Sequence, residues 1–393
     1  MPDVPQVALL IEGHAGYGRG VLRGIARYVH LHGPWLIYVP AEERNPGDLL
    51  LPKNRRWDGD GIIGRIFTPR VLEQVLAARV PTIGMDLSAE QLTVGHPLAQ
   101  ISELRPDSHA AGRMAAEHFL DGGFRHFAFC GFAGHIWSGR RQEGFCERLT
   151  EAGHACSVYQ SPRRKGDVAW ERERPAVIQW LRSLAFPLGL MTANDHRGRQ
   201  VLEACMVAGL HVPDDVAVVG ADDDRLLCDL SNPPLSSIRF NAEKGGYQAA
   251  ELLAGLMSGR ITRPQRILVE PLGVVTRHSS DVIAVADRHV VRALRFIRDN
   301  AHATIQVNDA VAQSGIGRRA LEIRFQKSIG RSIRQEIQQT HLIWARRLLA
   351  ETELPMAKIA ELCGFSNLTY LSNVFRREAG MTLARYRRHT RAE

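Results

Sequence analysis

Residues 310–330 read AVAQSGIGRRALEIRFQKSIG, and residues 358–380 read KIAELCGFSNLTYLSNVFRREAG. The two stretches follow one plan. Each places an alanine in a short apolar helix (Ala312, Ala360), then a glycine at a turn (Gly315, Gly364). A second helix follows with Leu and Phe four residues apart, Leu321/Phe325 and Leu371/Phe375, and a glycine closes it (Gly330, Gly380). A small residue lets two helices cross closely, and glycine accepts the sharp turn between them. The Leu–Phe pair turns one face of the second helix inward. The pattern predicts two helix-turn-helix units within an all-α region.

With Leu321 and Phe325 inward, Arg319, Glu322, Ile323 and Gln326 face outward, and Arg318 opens the helix. The same rotation in the second unit exposes Thr369, Ser372, Asn373 and Arg376. Such polar side chains reach base edges, whereas Arg376, Arg377, Arg387 and Arg388 suit phosphates. Ser366 is expected as the N-cap of the second reading helix, whose N-terminus would then be open to a phosphate. A connecting helix is expected from about 332 to 351, roughly 30 Å long at 1.5 Å per residue. That is close to the ~34 Å between successive major-groove faces on one side of B-DNA.

Charge supports this reading. Residues 288–393 carry 19 Lys and Arg against 9 Asp and Glu, a net of +10, while the rest of the chain has a net of −2. Only the C-terminal quarter is suited to a polyanion, here double-stranded DNA. The region from about 288 to 390, above all GFSNLTYLSNVFRREAGMTLARYRR, resembles the AraC family of transcription regulators. The resemblance implies a DNA-binding module. Two positions depart from the family pattern: Leu383 stands where Pro is usual, and His341 stands for an Arg common in the connecting helix.

Residues 6 to about 275 have another grammar. VALLI, WLIYV, GIIGRI, VPTIGM, HFAFCG, LGLMTA, VAVVGA and RILVEP are short β-rich runs. Amphipathic stretches such as GVLRGIARYVH and DHRGRQVLEACMVAGL lie between them. This alternation predicts α/β architecture with parallel sheets covered on both faces, and its length predicts two lobes. The β signal ends at SSDVIAVADRH. We therefore expect a two-lobed α/β sensor over 1–280, a linker over 281–287, and the double helix-turn-helix domain over 288–393.

The chain has 393 residues, 45% of them hydrophobic, enough for two or three domains with cores of their own. No run approaches the ~18 apolar residues of a membrane span. MPDVPQVALL has no basic region or cleavage pattern of a signal peptide, so a cytoplasmic protein away from membranes is expected. The six cysteines form no CxxC pair and read as free thiols.

The glycine-rich loop GHAGYGRG (13–20) follows the first strand, as a phosphate loop would. The Walker spacing is there, but Arg19-Gly20 replaces the Lys and the hydroxyl residue. G-x-G-x-x-G started at Gly16 meets Val21, and started at Gly18 meets Arg23. Glu42, near the end of the second strand, leaves the dinucleotide alternative open. Glu12, His14, Tyr17 and Arg19 suit a neutral hydroxylated ligand better. Asp107, Arg141, Asp195 and Asp222 lie where strands end, with Trp137 or Tyr17 available to cover a sugar face. Asp107 and Asp195 also read as helix caps, and Trp137 as core packing. No His or Cys joins Asp222–Asp224, so no metal site is expected.

VPDDVAVVGADDD, the run from Asn232 to Arg260, TANDHRG and the R-x-x-G-F motif from Arg141 to Phe145 resemble the sugar-binding core of the LacI/GalR regulators, relatives of periplasmic binding proteins. The resemblance covers roughly 6–275 and implies Arg141, Asn194, Asp195 and Asp222 as sugar ligands. The first β-α unit begins at once, so the family's N-terminal DNA-binding headpiece is not expected here, and the C-terminal module is expected to take its role. A sugar core followed by an AraC-type module resembles regulators of pentose operons. It implies a monosaccharide effector, D-xylose or a related pentose, and no cofactor. It further implies an activator acting as a homodimer with RNA polymerase. Another monosaccharide effector, and a nucleotide-dependent sugar enzyme, are the alternatives.

Overall fold

The computed structural model describes residues 4–40, 49–52, 57–88, 90–159, 170–281, 285 and 287–391. Glu42 lies outside them. The chain forms two compact units, Met1–Val282 and Ile283–Glu393.

The first unit holds two six-stranded sheets. In sheet one, β1 (Gln6–Leu10), β2 (Leu36–Tyr38), β3 (Gly61–Arg65), β4 (Thr82–Met85) and β5 (Ser102–Pro106) are joined by β11 (Arg266–Val269), in the order β11-β5-β4-β3-β1-β2. All its pairings are parallel. Sheet two contains β6 (His126–Cys130), β7 (Cys156–Tyr159), β8 (Leu188–Thr192), β9 (Val216–Ala221), β10 (Ser236–Phe240) and β12 (Pro271–Val275), ordered β12-β10-β9-β8-β6-β7. Only β12 runs antiparallel. Helices α1 (Gly16–His32), α2 (Pro69–Ala78) and α8 (Ala242–Met257) accompany sheet one. Sheet two takes α3 (Ser108–Asp121), α4 (Ile136–Glu151), α5 (Trp170–Arg182), α6 (Asp195–Ala208) and the short α7 (Arg225–Leu230). The chain passes between lobes three times, after β5, β10 and β11.

Strands buried on both faces explain the near-continuous apolar runs: Val7, Ala8, Leu9 and Leu10 are all buried, as are Val216 to Val219. Helices α1 and α8 pack backbone to backbone. A Cβ at Gly24 would sit 2.0 Å from the Glu243 carbonyl oxygen, and one at Gly246 equally close to that of Val21.

Four strands, β5, β7, β10 and β12, were not expected as separate elements. β5 reads SELRP, with two charges and a proline, and β10 reads SSIRF, half polar. Both pair on two sides, so the ladder overrides weak local propensity. β12 follows β11 after one residue, Glu270, but belongs to the other sheet.

The second unit is helical throughout its described residues: α9 (Arg288–Asp299), α10 (Val307–Ser314), α11 (Arg318–Ile329), α12 (Ile333–Glu351), α13 (Met356–Leu362), α14 (Leu368–Ala379) and α15 (Leu383–Arg391). It has two cores. One gathers Ala310, Leu321, Phe325 and Ile329 with α9, the other Ala360, Leu371, Val374, Phe375 and Leu383. Leu383, where Pro is usual, is buried in the second core, so the exchange keeps an apolar contact. One expectation needs correction. Ala312 is exposed, and the alanine at the helix crossing is Ala310, which is fully buried.

Candidate functional site

Five expected residues of the first unit converge between its lobes, each at the C-terminal end of a strand or the start of the next helix. Glu12 follows β1, Tyr17 lies in the first turn of α1, Trp137 and Arg141 lie early in α4, and Asp222 follows β9. Arg141, 2% exposed, donates through Nη2 to Asp222 Oδ1 at 2.7 Å and through Nη1 to the Ala193 carbonyl. Its guanidinium lies 5.4 Å from the Trp137 ring and 5.2 Å from that of Phe240. Tyr17 meets Phe240 edge to face at 6.0 Å. The Tyr17 hydroxyl is buried without a partner, and burial pushes its pKa well up, with Asp86 adding to the shift. A hydroxyl so held stays protonated and keeps its proton available as a donor.

Two further residues complete the cluster. Arg65, ending β3, donates to Glu12 and, through Nη2, to Asp86 Oδ2 at 3.0 Å. Burial opposes the Arg65 charge, but Asp86 and Glu12 outweigh it and raise its pKa. Asp86, 5% exposed, is shifted up by burial against the pull of Arg65 and Arg141. The signal for both was present: GIIGR and TIGMD each end a strand in a charge, the position that drew attention to Arg141 and Asp222.

The remaining expected residues have structural duties. Asp107 caps α3, accepting from the Ala110 amide at 2.9 Å. Asn194 caps α6, accepting from the Arg197 amide at 3.0 Å. Asp195 is 2% exposed, and its two oxygens accept from Ser237 Oγ at 2.5 Å and the Asp224 amide at 2.7 Å. Burial first, then Asp222, pushes its carboxyl well up. These bonds fix the loops around the cleft; Asp107 Oδ2 and the Asn194 amide nitrogen take no part in them, so capping does not exclude the expected ligand contacts of these two, whereas both oxygens of Asp195 are engaged. His14 sits at the rim, its ring 6.4 Å from that of His196 across the cleft.

Backbone strain marks the same place. Asp222 (φ 103°) and Asp223 (φ 46°) occupy left-handed space that non-glycine residues rarely adopt. Arg239 and Arg277 hold the Asp223 carboxylate at 2.7 and 2.9 Å, so the loop is over-determined. Arg19 of α1 bonds Asp224 at 2.6 Å across the two lobes.

In the second unit, Arg318, Arg319, Glu322, Ile323 and Gln326 of α11 are exposed, as are Thr369, Asn373, Arg376 and Arg377 of α14, with Ser372 half-buried. Arg318 is steered by Glu322 at 2.9 Å and by Asn308 at 3.2 Å. Asn367 caps α14, accepting from the Tyr370 amide at 2.8 Å. The expectation that Ser366 does so is corrected: the helix begins one residue later, and Ser366 stands exposed before the cap. Arg387 is half-buried and donates to the Leu354 carbonyl at 2.6 Å, whereas Arg388 is exposed.

Residues 116–280 match a periplasmic binding protein-like domain, and residues 311–389 match a helix-turn-helix domain. The chain is 31% identical over 387 residues to the xylose operon regulatory protein of Escherichia coli strain K12, covering 97% of this chain and 96% of that one.

The chain belongs to the xylose operon regulatory protein family.

The Haemophilus influenzae member is 30% identical over 386 residues, 97% of this chain and 98% of its own. A solved structure of a xylose-binding transcription activator is similar over 98% of both chains, with a TM-score of 0.79 and 29% identity. A LacI family regulator of Enterococcus faecalis shares the fold, with a TM-score of 0.54 and 16% identity over 71% of this chain and 99% of its own. The family consists of DNA-binding transcription regulators, not enzymes. Among the described residues, no helix is long and apolar enough to cross a membrane.

Proposed function

We propose that the chain activates transcription of a pentose-utilisation operon in the cytoplasm, with D-xylose as its effector. One observation carries the reading: Glu12, Arg65 and Asp86 from one lobe face Arg141 and Asp222 from the other, within a wall formed by Tyr17, Trp137 and Phe240. Carboxylates and guanidinia form paired hydrogen bonds with adjacent sugar hydroxyls, and aromatic faces cover the C–H side of the ring. The GHAGYGRG loop on this reading lines a sugar cleft and holds no phosphate. A homodimer would set two double reading units on repeated half-sites, where an activator meets RNA polymerase. No cofactor enters the scheme.

A thermal-shift panel of pentoses, hexoses, sugar acids and nucleotides on the purified protein tests it. A ligand at ~100 times its Kd adds about 2.7 kcal/mol to the unit that binds it. A shift with D-xylose alone supports the reading. A shift with another monosaccharide moves the effector, and a shift with NAD or ATP alone returns the glycine loop to phosphate binding.

A further inference from the structure

The second unit contains a cleft of about 490 Å³ between its two helix-turn-helix halves. One wall comes from the first half, residues 305–308 and Arg318. The other comes from Gly364, Phe365 and Tyr370, and the floor is one face of α12: Arg334, Ile337, Gln338 and His341. Those four floor residues follow helical spacing, so they form one stripe along the connecting helix. Arg318 is the first residue of α11, and Tyr370 lies in the first turn of α14. The N-terminal turns of reading helices enter the groove. The cleft therefore opens between the two places where the chain meets DNA.

Its polar groups suit an anion. Arg334 is exposed and has no ion-pair partner among the described residues. Gln338 is oriented by its bond to the Tyr370 hydroxyl at 3.0 Å. His341, 5% exposed, donates from its other ring nitrogen to the Ala303 backbone and packs its ring edge to face with Phe365 at 5.8 Å, while its Nε2 is buried with no partner among the described residues. Gly364 keeps the space open: at φ +69° it turns the chain, and a Cβ there would lie 2.6 Å from the Ala303 carbonyl oxygen and 2.7 Å from the His341 ring. A buried polar atom without a partner is a cost that a ligand removes.

The geometry points to a phosphate seat: Arg318 and Arg334 hold a phosphate of the DNA strand that passes from one reading helix to the other, and His341 joins them by taking up a proton at Nε2 as the phosphate arrives. This rests on the DNA-binding reading above and adds the connecting helix to the interface. A free phosphate would present the same chemistry, so the test separates the two sources.

A duplex selected by the wild-type protein is titrated at salt concentrations from 50 to 200 mM, with wild type and Arg334→Gln. Loss of one phosphate contact lowers the salt slope by about one. Methylphosphonates are then scanned through the strand between the two major-groove sites. The seat predicts one neutralised phosphate that weakens wild type and leaves Arg334→Gln unchanged. An equal slope, or no such coupling, while wild type still binds the duplex, overturns the seat and leaves the reader helices in place. No binding by wild type fails the DNA reading itself. If inorganic phosphate shifts the His341 ring resonances in the full chain but no strand phosphate couples to Arg334, the seat belongs to a free anion, and the DNA assignment falls.

Discussion

Arg65 ties the stability of the cleft to its charge balance. It neutralises the buried carboxylate of Asp86 and the partly buried one of Glu12. Arg65→Met should destabilise the sensor by about 3 kcal/mol, since breaking a largely buried ion pair leaves uncompensated charge. Adding Glu12→Gln and Asp86→Asn should recover most of the urea midpoint without restoring sugar binding. Recovery of both would make Arg65 purely structural. His341 gives a pH signature in the other unit. Burial lowers its pKa below 6.5. Between the lowered folded value and 6.5 the unfolded chain binds the extra proton, so stability falls as pH drops through 6.5. Urea midpoints of the helical unit at pH 7.5 and 5.5 should differ more in wild type than in His341→Gln. Equal differences would contradict the burial argument.

At the scale of elements, the anchors of the two helix-turn-helix units repeat at an offset of fifty residues. Ala310 answers to Ala360, Leu321 to Leu371, Phe325 to Phe375, and Gly330 to Gly380. The offset was readable in the sequence and would have chosen Ala310 over Ala312. The turn glycine breaks it, because Gly315 ends α10 directly whereas Gly364 follows Cys363. Phe325→Ala and Phe375→Ala should each cost about 3–5 kcal/mol, read as a lowered melting temperature of the helical unit. Arg319→Ala and Asn373→Ala should leave that temperature unchanged and weaken specific DNA binding. Unchanged affinity would remove them from the reading surface. Anchors were legible because a core imposes period and residue type. Caps were less so: whether Ser366 or Asn367 ends the loop depends on backbone angles that neighbouring polar residues do not reveal.

Across the whole molecule, the division of labour was visible in the charge balance and in the change from β-rich to helical patterning. The cluster in the cleft was only half visible. Glu12, Tyr17, Trp137, Arg141 and Asp222 stood out beside loops, but Arg65 and Asp86 looked like strand ends, and only sheet order brings them together. Asp107, Asn194 and Asp195 carry a structural and a ligand reading together, because capping and ligation favour the same residue types. If the pentose favours the DNA-competent state, operator affinity should change 5–150-fold when it is added, and DNA should raise pentose affinity by the same factor. Calorimetric titration in both orders measures this. A factor of one in both orders would mean that the two sites are not coupled.

The fifty-residue offset reaches further. Equivalent reading positions hold Arg319 and Thr369, Glu322 and Ser372, Ile323 and Asn373, Gln326 and Arg376. Scaffolding is duplicated, but the letters it presents are not. One chain therefore reads a sentence with a beginning and an end. A site turned end for end is a different word to it, so its target has a polarity that a palindrome-reading protein cannot perceive.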